Sequence, residues 1–158
     1  MLRVGLGLDV HPYEQSRPLI LCGVRVSAEH GLLGHSDGDV ATHALMDAIL
    51  GASGLKDIGH FFPSTPEWKD ASSLEMLKIV KGKMEKKGFQ LINADISLML
   101  ESPKISPYCD EMIQNLKMIF PGAQFSIKAT TCEGLGFIGK EEGAAAIAVV
   151  LLESIRHG

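Results

Sequence analysis

The sequence predicts one α/β domain, and three observations lead there. At 158 residues the chain has the length of a single domain that buries roughly 70% of its unfolded surface without staples. Apolar residues recur with a period of two in some segments and at helical spacing in others, and the two kinds alternate. Glycine and proline punctuate the boundaries between them. Such alternation indicates a sheet carrying its helices on one side or both.

Taken in order, Leu2 to Leu8 reads as a strand with apolar side chains at alternate positions. Leu19 to Val26 reads as a strand pair bending near Gly23, and AEHGLLG as a loop. A helix is predicted over Asp37 to Leu50. Val40, Ala41, Ala44, Leu45, Ala48 and Ile49 form its apolar stripe, and Gly51 and Gly54 stand where it stops. DIGHFFPSTPEWKD has two prolines and no period, so it reads as a loop. Ser72 and Ser73 open a second helix, with Glu75 at capping-box distance from Ser72. Leu74, Leu77, Val80 and Met84 are its stripe, and Gly88 ends it. Ile92 to Leu100 is a strand. Pro107 suits the first turn of a third helix ending before Pro121. Phe125 to Thr130 is another strand. Gly143 to Ile155 stays ambiguous: its alanines favour helix, while Ile147, Val149 and Val150 favour a buried strand.

Composition removes several function classes. The net charge of −4, with no basic cluster interleaved with aromatics, argues against nucleic acid. The longest apolar run, Ala144 to Leu152, falls far short of the roughly 20 residues that span a bilayer. The N-terminus lacks the long apolar core of a signal peptide. Cys22, Cys109 and Cys132 are widely spaced and form no CxxC pair, which points to a reducing cytoplasm.

Chemistry concentrates in three clusters. In GLGLDVH, Asp9 and His11 stand two apart at a strand end, so both side chains share one face. In HSDGDVATH, Ser36 caps the predicted helix with Asp39 as reciprocal partner, and the free N–H groups there offer an anion site. His43 lies almost two turns further in. One carboxylate and two imidazoles suit Zn²⁺ and leave its fourth position open, as catalysis requires. Asp47, one turn beyond, is placed to accept the second ring N–H of His43. In TTCEGLGF, hydroxyls and loop N–H groups suit phosphate oxygens, and a lone glutamate suits Mg²⁺. His30, His60 and His157 read as ordinary surface histidines.

These clusters, together with DIGHFFP, ESPKISP and GKEEG, resemble the 2-C-methyl-D-erythritol 2,4-cyclodiphosphate synthase family over nearly the whole chain. The resemblance implies one domain over residues 1–158. Its sheet is mixed and mainly four-stranded, with helices on one face and a small hairpin. It implies a homotrimer with each active site between protomers, and it makes the ambiguous last segment a strand. Asp9, His11 and His43 match zinc ligands, one ion per subunit, and Glu133 matches the ligand of Mg²⁺ or Mn²⁺. His35 and Ser36 match contacts to the methylerythritol phosphate, and Asp57, Ile58 and Gly59 a sugar-binding loop followed by Phe62. Pro103 and Lys104 match the cytosine segment, and Thr130 and Thr131 residues near the nucleotide diphosphate. Phe137 and Lys140 join the substrate contacts, while His35 and Thr131 match positions assigned to transition-state stabilisation. The implied substrate is a cytidine diphosphate, 4-diphosphocytidyl-2-C-methyl-D-erythritol 2-phosphate, which cyclises with release of CMP.

Three positions depart from the family pattern. FPSTPEW lacks an expected aspartate and looks one residue short, Cys132 replaces a frequent threonine, and Lys140 a frequent arginine. Lysine cannot form the bidentate fork to phosphate. Two other readings fit the same residues. One is a zinc phosphohydrolase using metal-bound water. The other is a non-enzymatic trimer that binds isoprenoid diphosphates around a structural zinc. Such a zinc takes four protein ligands, and three are visible here.

Overall fold

A computed structural model describes residues 1–155, so His157 lies outside the described residues. Strands β1 (Leu2–Glu14), β4 (Gly31–Leu32), β5 (Phe89–Met99), β6 (Gln124–Thr130) and β7 (Gly143–Ser154) form one sheet in the order β4-β1-β7-β5-β6. Only β5 and β6 run parallel; every other pair is antiparallel. Four strands are long and β4 contributes two residues at the edge, so the expected mixed sheet holds with a short fifth member. Strands β2 (Leu19–Leu21) and β3 (Val24–Ser27) make the expected hairpin. Its two-residue turn puts Cys22 and Gly23 at positive φ, the signature of a turn that matches strand twist.

The ambiguous last segment is a strand, and the central one. Ala144, Ala146, Ala148, Val150 and Leu152 face the helices and are fully buried. Small side chains there let helix α1 (Val40–Ala52) lie close against the sheet. The glycines of GLGLDVH serve the same end on the neighbouring strand. A Cβ on Gly7 would fall 1.9 Å from the Ala44 carbonyl oxygen, and one on Gly5 2.0 Å from that of Ala48. Helices α3 (Ser73–Lys86) and α4 (Cys109–Ile119) complete the layer, packing against β5 and β6.

The opposite face of β1 carries Leu2, Val4, Leu6, Leu8 and Val10, exposed by 43% (Val10) to 70% (Val4). Val149 of β7 joins them. The strand runs further than Leu8 because β7 pairs with it as far as Pro12 and β4 pairs with Tyr13 and Glu14.

Some local expectations are corrected. Helix α1 starts at Val40, not Asp37, and its N-cap is Asp39, not Ser36. The Asp39 carboxylate accepts from the Thr42 N–H (2.9 Å), the Thr42 hydroxyl (2.8 Å) and the Cys22 and Gly23 N–H groups (3.0 Å each). One buried acid thus caps the helix and anchors the hairpin turn, and the expected anion site at this helix start is already filled. At α3 the Ser72–Glu75 capping box does not form. The Ser72 side chain makes no cap bond, and Asp37 from the loop before α1 accepts the Ser73 N–H at 2.8 Å instead. The loop after α1 contains a short helix, α2 (Ile58–Phe61), and a single 3-10 turn at Pro66–Trp68. The third helix begins with such a turn at Ser106–Tyr108, and Gly88, at φ +80°, follows α3 as expected. His30 stacks on Tyr13 and His60 is exposed, as their surface reading anticipates.

Candidate active site

Asp9 and His11 point from β1 toward the helix layer, as period two requires, and His43 meets them from α1. Asp9 Oδ2 lies 2.7 Å from His11 Nε2 and 3.1 Å from His43 Nδ1, and the two ring nitrogens are 3.1 Å apart. A tetrahedral ion about 2.0–2.1 Å from each donor would space them about 3.3 Å apart, close to this triangle. The donor chemistry also fits a metal. His11 Nδ1–H donates to the Leu33 carbonyl at 3.0 Å, and because a carbonyl only accepts, the neutral ring has its lone pair on Nε2, the atom an ion would take. Among the described residues, Asp9, His11 and His43 are the group of His, Cys, Asp or Glu side chains able to hold one ion.

The electrostatics of the metal-free cluster follow from the same contacts. Burial alone would raise the Asp9 pKa, but hydrogen bonds from His11 and His43 and their charge outweigh it and lower the value. Burial alone would lower that of His43; the bond to Asp9, its charge and those of Asp39 and Asp37 outweigh it and raise the value. The cluster thus favours a proton on His43 where a cation would bind, and the two compete.

The triad opens into a cavity of about 220 Å³, lined also by His35, Ser36, Ile58, Gly59, Phe62, Ser64, Trp68 and Met76. Five expected substrate residues thus gather beside the metal ligands: His35, Ser36, Ile58, Gly59 and Phe62. His35 Nε2 donates to the Thr65 carbonyl at 2.7 Å, and the Asp70 N–H holds the His35 carbonyl at 2.9 Å. Arg17 grips the same loop, donating to the carbonyls of Gly34 (2.7 Å) and Ser36 (2.6 Å). Asp57 is absent from the cavity lining; it caps α2, accepting from the His60 N–H at 2.9 Å.

A second cavity, of about 440 Å³, lies at the end of β5 and β6. Pro103, Lys104, Thr130 and Thr131 line it, with Glu101, Ile105 and Lys128. Glu133 stands just outside at φ +53°, its N–H donating to Thr131 Oγ1 at 3.3 Å. Phe137 and Lys140, in and after α5 (Gly136–Gly139), are exposed and line neither cavity. The Cys132 N–H donates to Glu101 at 2.6 Å, so this departure from the family leaves a backbone bond in place.

One expected contact is overturned. Asp47 does not reach His43; its Oδ1 accepts from the Ile58 N–H at 2.8 Å. Helical side chains lean toward the helix N-terminus, so the His43 ring turns away from the next turn. Its Nε2 meets Ser36 Oγ and Ser73 Oγ, each at 3.0 Å. Ser73 was legible only as a helix start, and Arg17, Ser64, Trp68 and Met76 carry no local signal of a site.

Comparison with known proteins agrees with this geometry. The model of the YgbB family matches residues 2–153. A protein of Halothermothrix orenii named 2-C-methyl-D-erythritol 2,4-cyclodiphosphate synthase is 50% identical over 160 residues, covering 99% of this chain and 97% of its own. One of the same name from Enterococcus faecalis is 53% identical over 156 residues, covering 97% and 99%. The solved structure of IspF from Plasmodium falciparum in complex with CDP superposes with a TM-score of 0.86 at 32% identity, covering 98% of this chain and 97% of that one. Matched along nearly all its length in sequence and in fold, the chain belongs to the YgbB family.

Proposed function

We propose that the chain, acting as one domain over its full length, is a 2-C-methyl-D-erythritol 2,4-cyclodiphosphate synthase of the non-mevalonate isoprenoid route. It converts 4-diphosphocytidyl-2-C-methyl-D-erythritol 2-phosphate to the cyclic 2,4-diphosphate and CMP. The 2-phosphate oxygen attacks the β-phosphorus, the bond to the CMP phosphate breaks, and that phosphate leaves with the electron pair. The observation that carries the reading is the open-sided Asp9–His11–His43 triangle beside His35 and Ser36, in a chain half identical to named synthases.

The nucleophile is already an anion, so the reaction needs position and charge neutralisation more than a strong base. That matches a site built without a serine or cysteine nucleophile. Zn²⁺ held by Asp9, His11 and His43 supplies positive charge where two phosphates must approach, and Mg²⁺ or Mn²⁺ at Glu133 does so on the nucleotide side. Ser36 and His35 contact the methylerythritol phosphate, and His35 exchanges its bond to the Thr65 carbonyl for one to a phosphoryl oxygen. Ile58, Gly59 and Phe62 fit the sugar, with Asp57 reached by a turn of its side chain. Pro103 and Lys104 receive the cytosine. Thr130 and Thr131 donate to the diphosphate, Thr131 to the charge growing in the transition state. Phe137 and Lys140 reach the substrate only from a neighbouring protomer.

A homotrimer is part of this reading. The two cavities of one chain share no lining residue. In register, His11 pairs with Ala144, and Thr130 with Met99 two strands beyond β1, about 14 Å across the sheet. Asp9 and His11 also face the helix layer, whereas Thr130 belongs to the other face. A neighbour's second cavity beside the metal triad completes the site. The apolar outer row of β1 gives the copies a surface to bury, since a monomer rarely exposes so continuous a patch. None of the described helices is long and apolar enough to cross a membrane, and we place the enzyme in the cytoplasm with its substrate.

Phosphorus NMR tests the reaction. Zinc-loaded protein with substrate and Mg²⁺ should give coupled cyclic diphosphate signals and an equal amount of CMP. A linear product carrying solvent oxygen would make it a hydrolase. Unchanged substrate with zinc bound would make it a binding protein.

A further inference from the structure

We infer that Ser73 and Asp37 are positioning residues that hold the hydrogen of the ion-bound His43 ring on Nε2, so that the ring presents Nδ1 to the metal triangle. The inference rests on the zinc reading above, and its geometry comes from proton bookkeeping around one carboxylate. The groups hydrogen-bonded to the Asp37 carboxylate are donors: the Ser73 N–H reaches Oδ2 at 2.8 Å, the Asp39 N–H reaches Oδ1 at 3.2 Å, and the Ser73 hydroxyl also contacts Oδ1. An ionised carboxylate accepts and never donates. The single hydroxyl hydrogen of Ser73 is therefore committed to Asp37, and Ser73 Oγ presents a lone pair to His43 Nε2 at 3.0 Å. When an ion displaces the hydrogen that Nδ1 otherwise gives to Asp9, the ring's one hydrogen sits on Nε2, and Ser73 Oγ is the acceptor that keeps it there. Nδ1 is the atom that stands 3.1 Å from both Asp9 Oδ2 and His11 Nε2.

The two histidines are thus set by different devices with one outcome. A backbone carbonyl fixes His11, and the Asp37–Ser73 pair fixes His43. Ser36 Oγ, also 3.0 Å from Nε2, cannot do this alone, because no carboxylate accepts its hydrogen and its hydroxyl can turn either way. Ser73 and His43 are both buried, so no bulk water substitutes for the lost acceptor. The motif read in the sequence as a helix start therefore has a second task, and the loop acid Asp37 joins the start of α3 to the metal site.

Ser73→Ala keeps the backbone N–H that Asp37 accepts, so the helix start survives. Asp37→Asn is the second variant: whichever way the amide turns, its NH₂ meets a donor, either the Ser73 N–H or the Ser73 hydroxyl and the Asp39 N–H. Two readouts apply. Zinc affinity, by competition with a chromophoric chelator, should fall about 10–100-fold in either variant, the usual cost of losing an outer-shell partner. Proton spectra of the zinc-loaded protein should show the His43 Nε2–H as a downfield, slowly exchanging signal in the parent. In Ser73→Ala, with that acceptor gone, the signal should move upfield and exchange faster. An unchanged Nε2–H signal in Ser73→Ala, with zinc affinity within twofold of the parent, overturns the inference. A parent protein that binds no zinc overturns the zinc reading, and with it the role given to Ser73.

Discussion

Replacing Gly7 by alanine probes the packing that brings His43 to its partners. The new Cβ would lie 1.9 Å from the Ala44 carbonyl oxygen and 2.7 Å from the Ala48 nitrogen, both backbone atoms that no rotamer change can move. Real contacts essentially never fall below 3.0 Å, so helix α1 must retreat by about an ångström. Overpacking of this kind costs about 1–3 kcal/mol, or roughly 2–12 °C in Tm for a domain of this size. The retreat also draws His43, one residue before Ala44, away from Asp9 and His11. Metal ligands tolerate about 0.2 Å of misplacement, so zinc should bind at least about 10-fold more weakly. Gly82, mid-helix in α3 with nothing within 4 Å of an added methyl, is the control. There the same substitution should stabilise by about 0.5–1 kcal/mol through helix propensity. Thermal melts of the metal-free proteins and chelator competition measure both effects. A Gly7→Ala protein with parental Tm and zinc affinity would refute the close-approach argument.

Three further outcomes are expected. His43→Ala should lose most bound zinc and most turnover, and near-normal zinc content by atomic absorption would remove His43 from the ligand set. Glu133→Gln should keep its zinc but need more Mg²⁺ for half-maximal rate; an unchanged Mg²⁺ titration would take Glu133 out of that role. For pH, the raised His43 value means that its contribution to metal-free stability is complete below the unfolded value of about 6.5 and is lost as pH rises through the folded one. The lowered Asp9 value means that its contribution is present above about 3.9 and is lost as pH falls through the folded one. The pair therefore favours the metal-free fold most between about pH 4 and 6.5, whereas zinc, competing with the proton, should raise Tm more as pH climbs above that window. Melts with and without zinc across pH 5–8 check this, and a zinc-induced shift that shrinks with rising pH would contradict it.

Most of the sheet and all three long helices were legible, because apolar period and glycine or proline punctuation act locally. The character of β7 was not. A run such as AAAIAVVLL satisfies either period, and its partners, β1 and β5, lie far away in sequence. The metal ligands were legible because two share a strand and the third sits on the helix that follows. Their supporting groups were not. Asp39 outcompetes Ser36 for the cap because it can also receive the hairpin turn's N–H groups. Ser73 reaches His43 across 30 residues of sequence. Such contacts depend on how α3 docks on the loop before α1, which no local pattern encodes.

The central place of β7 also governs the order in which the molecule can be completed. Leu2 finds its ladder partner in Glu153, and His11 in Ala144. At about 5–20 residues per second of synthesis, β1 waits roughly 7–30 s for the strand that secures it. Asp9 and His11 on β1, and His43 on α1, all emerge long before then. Closure of the sheet is a late, long-range event, which slows folding and leaves the apolar outer row of β1 as an aggregation hazard of the nascent chain.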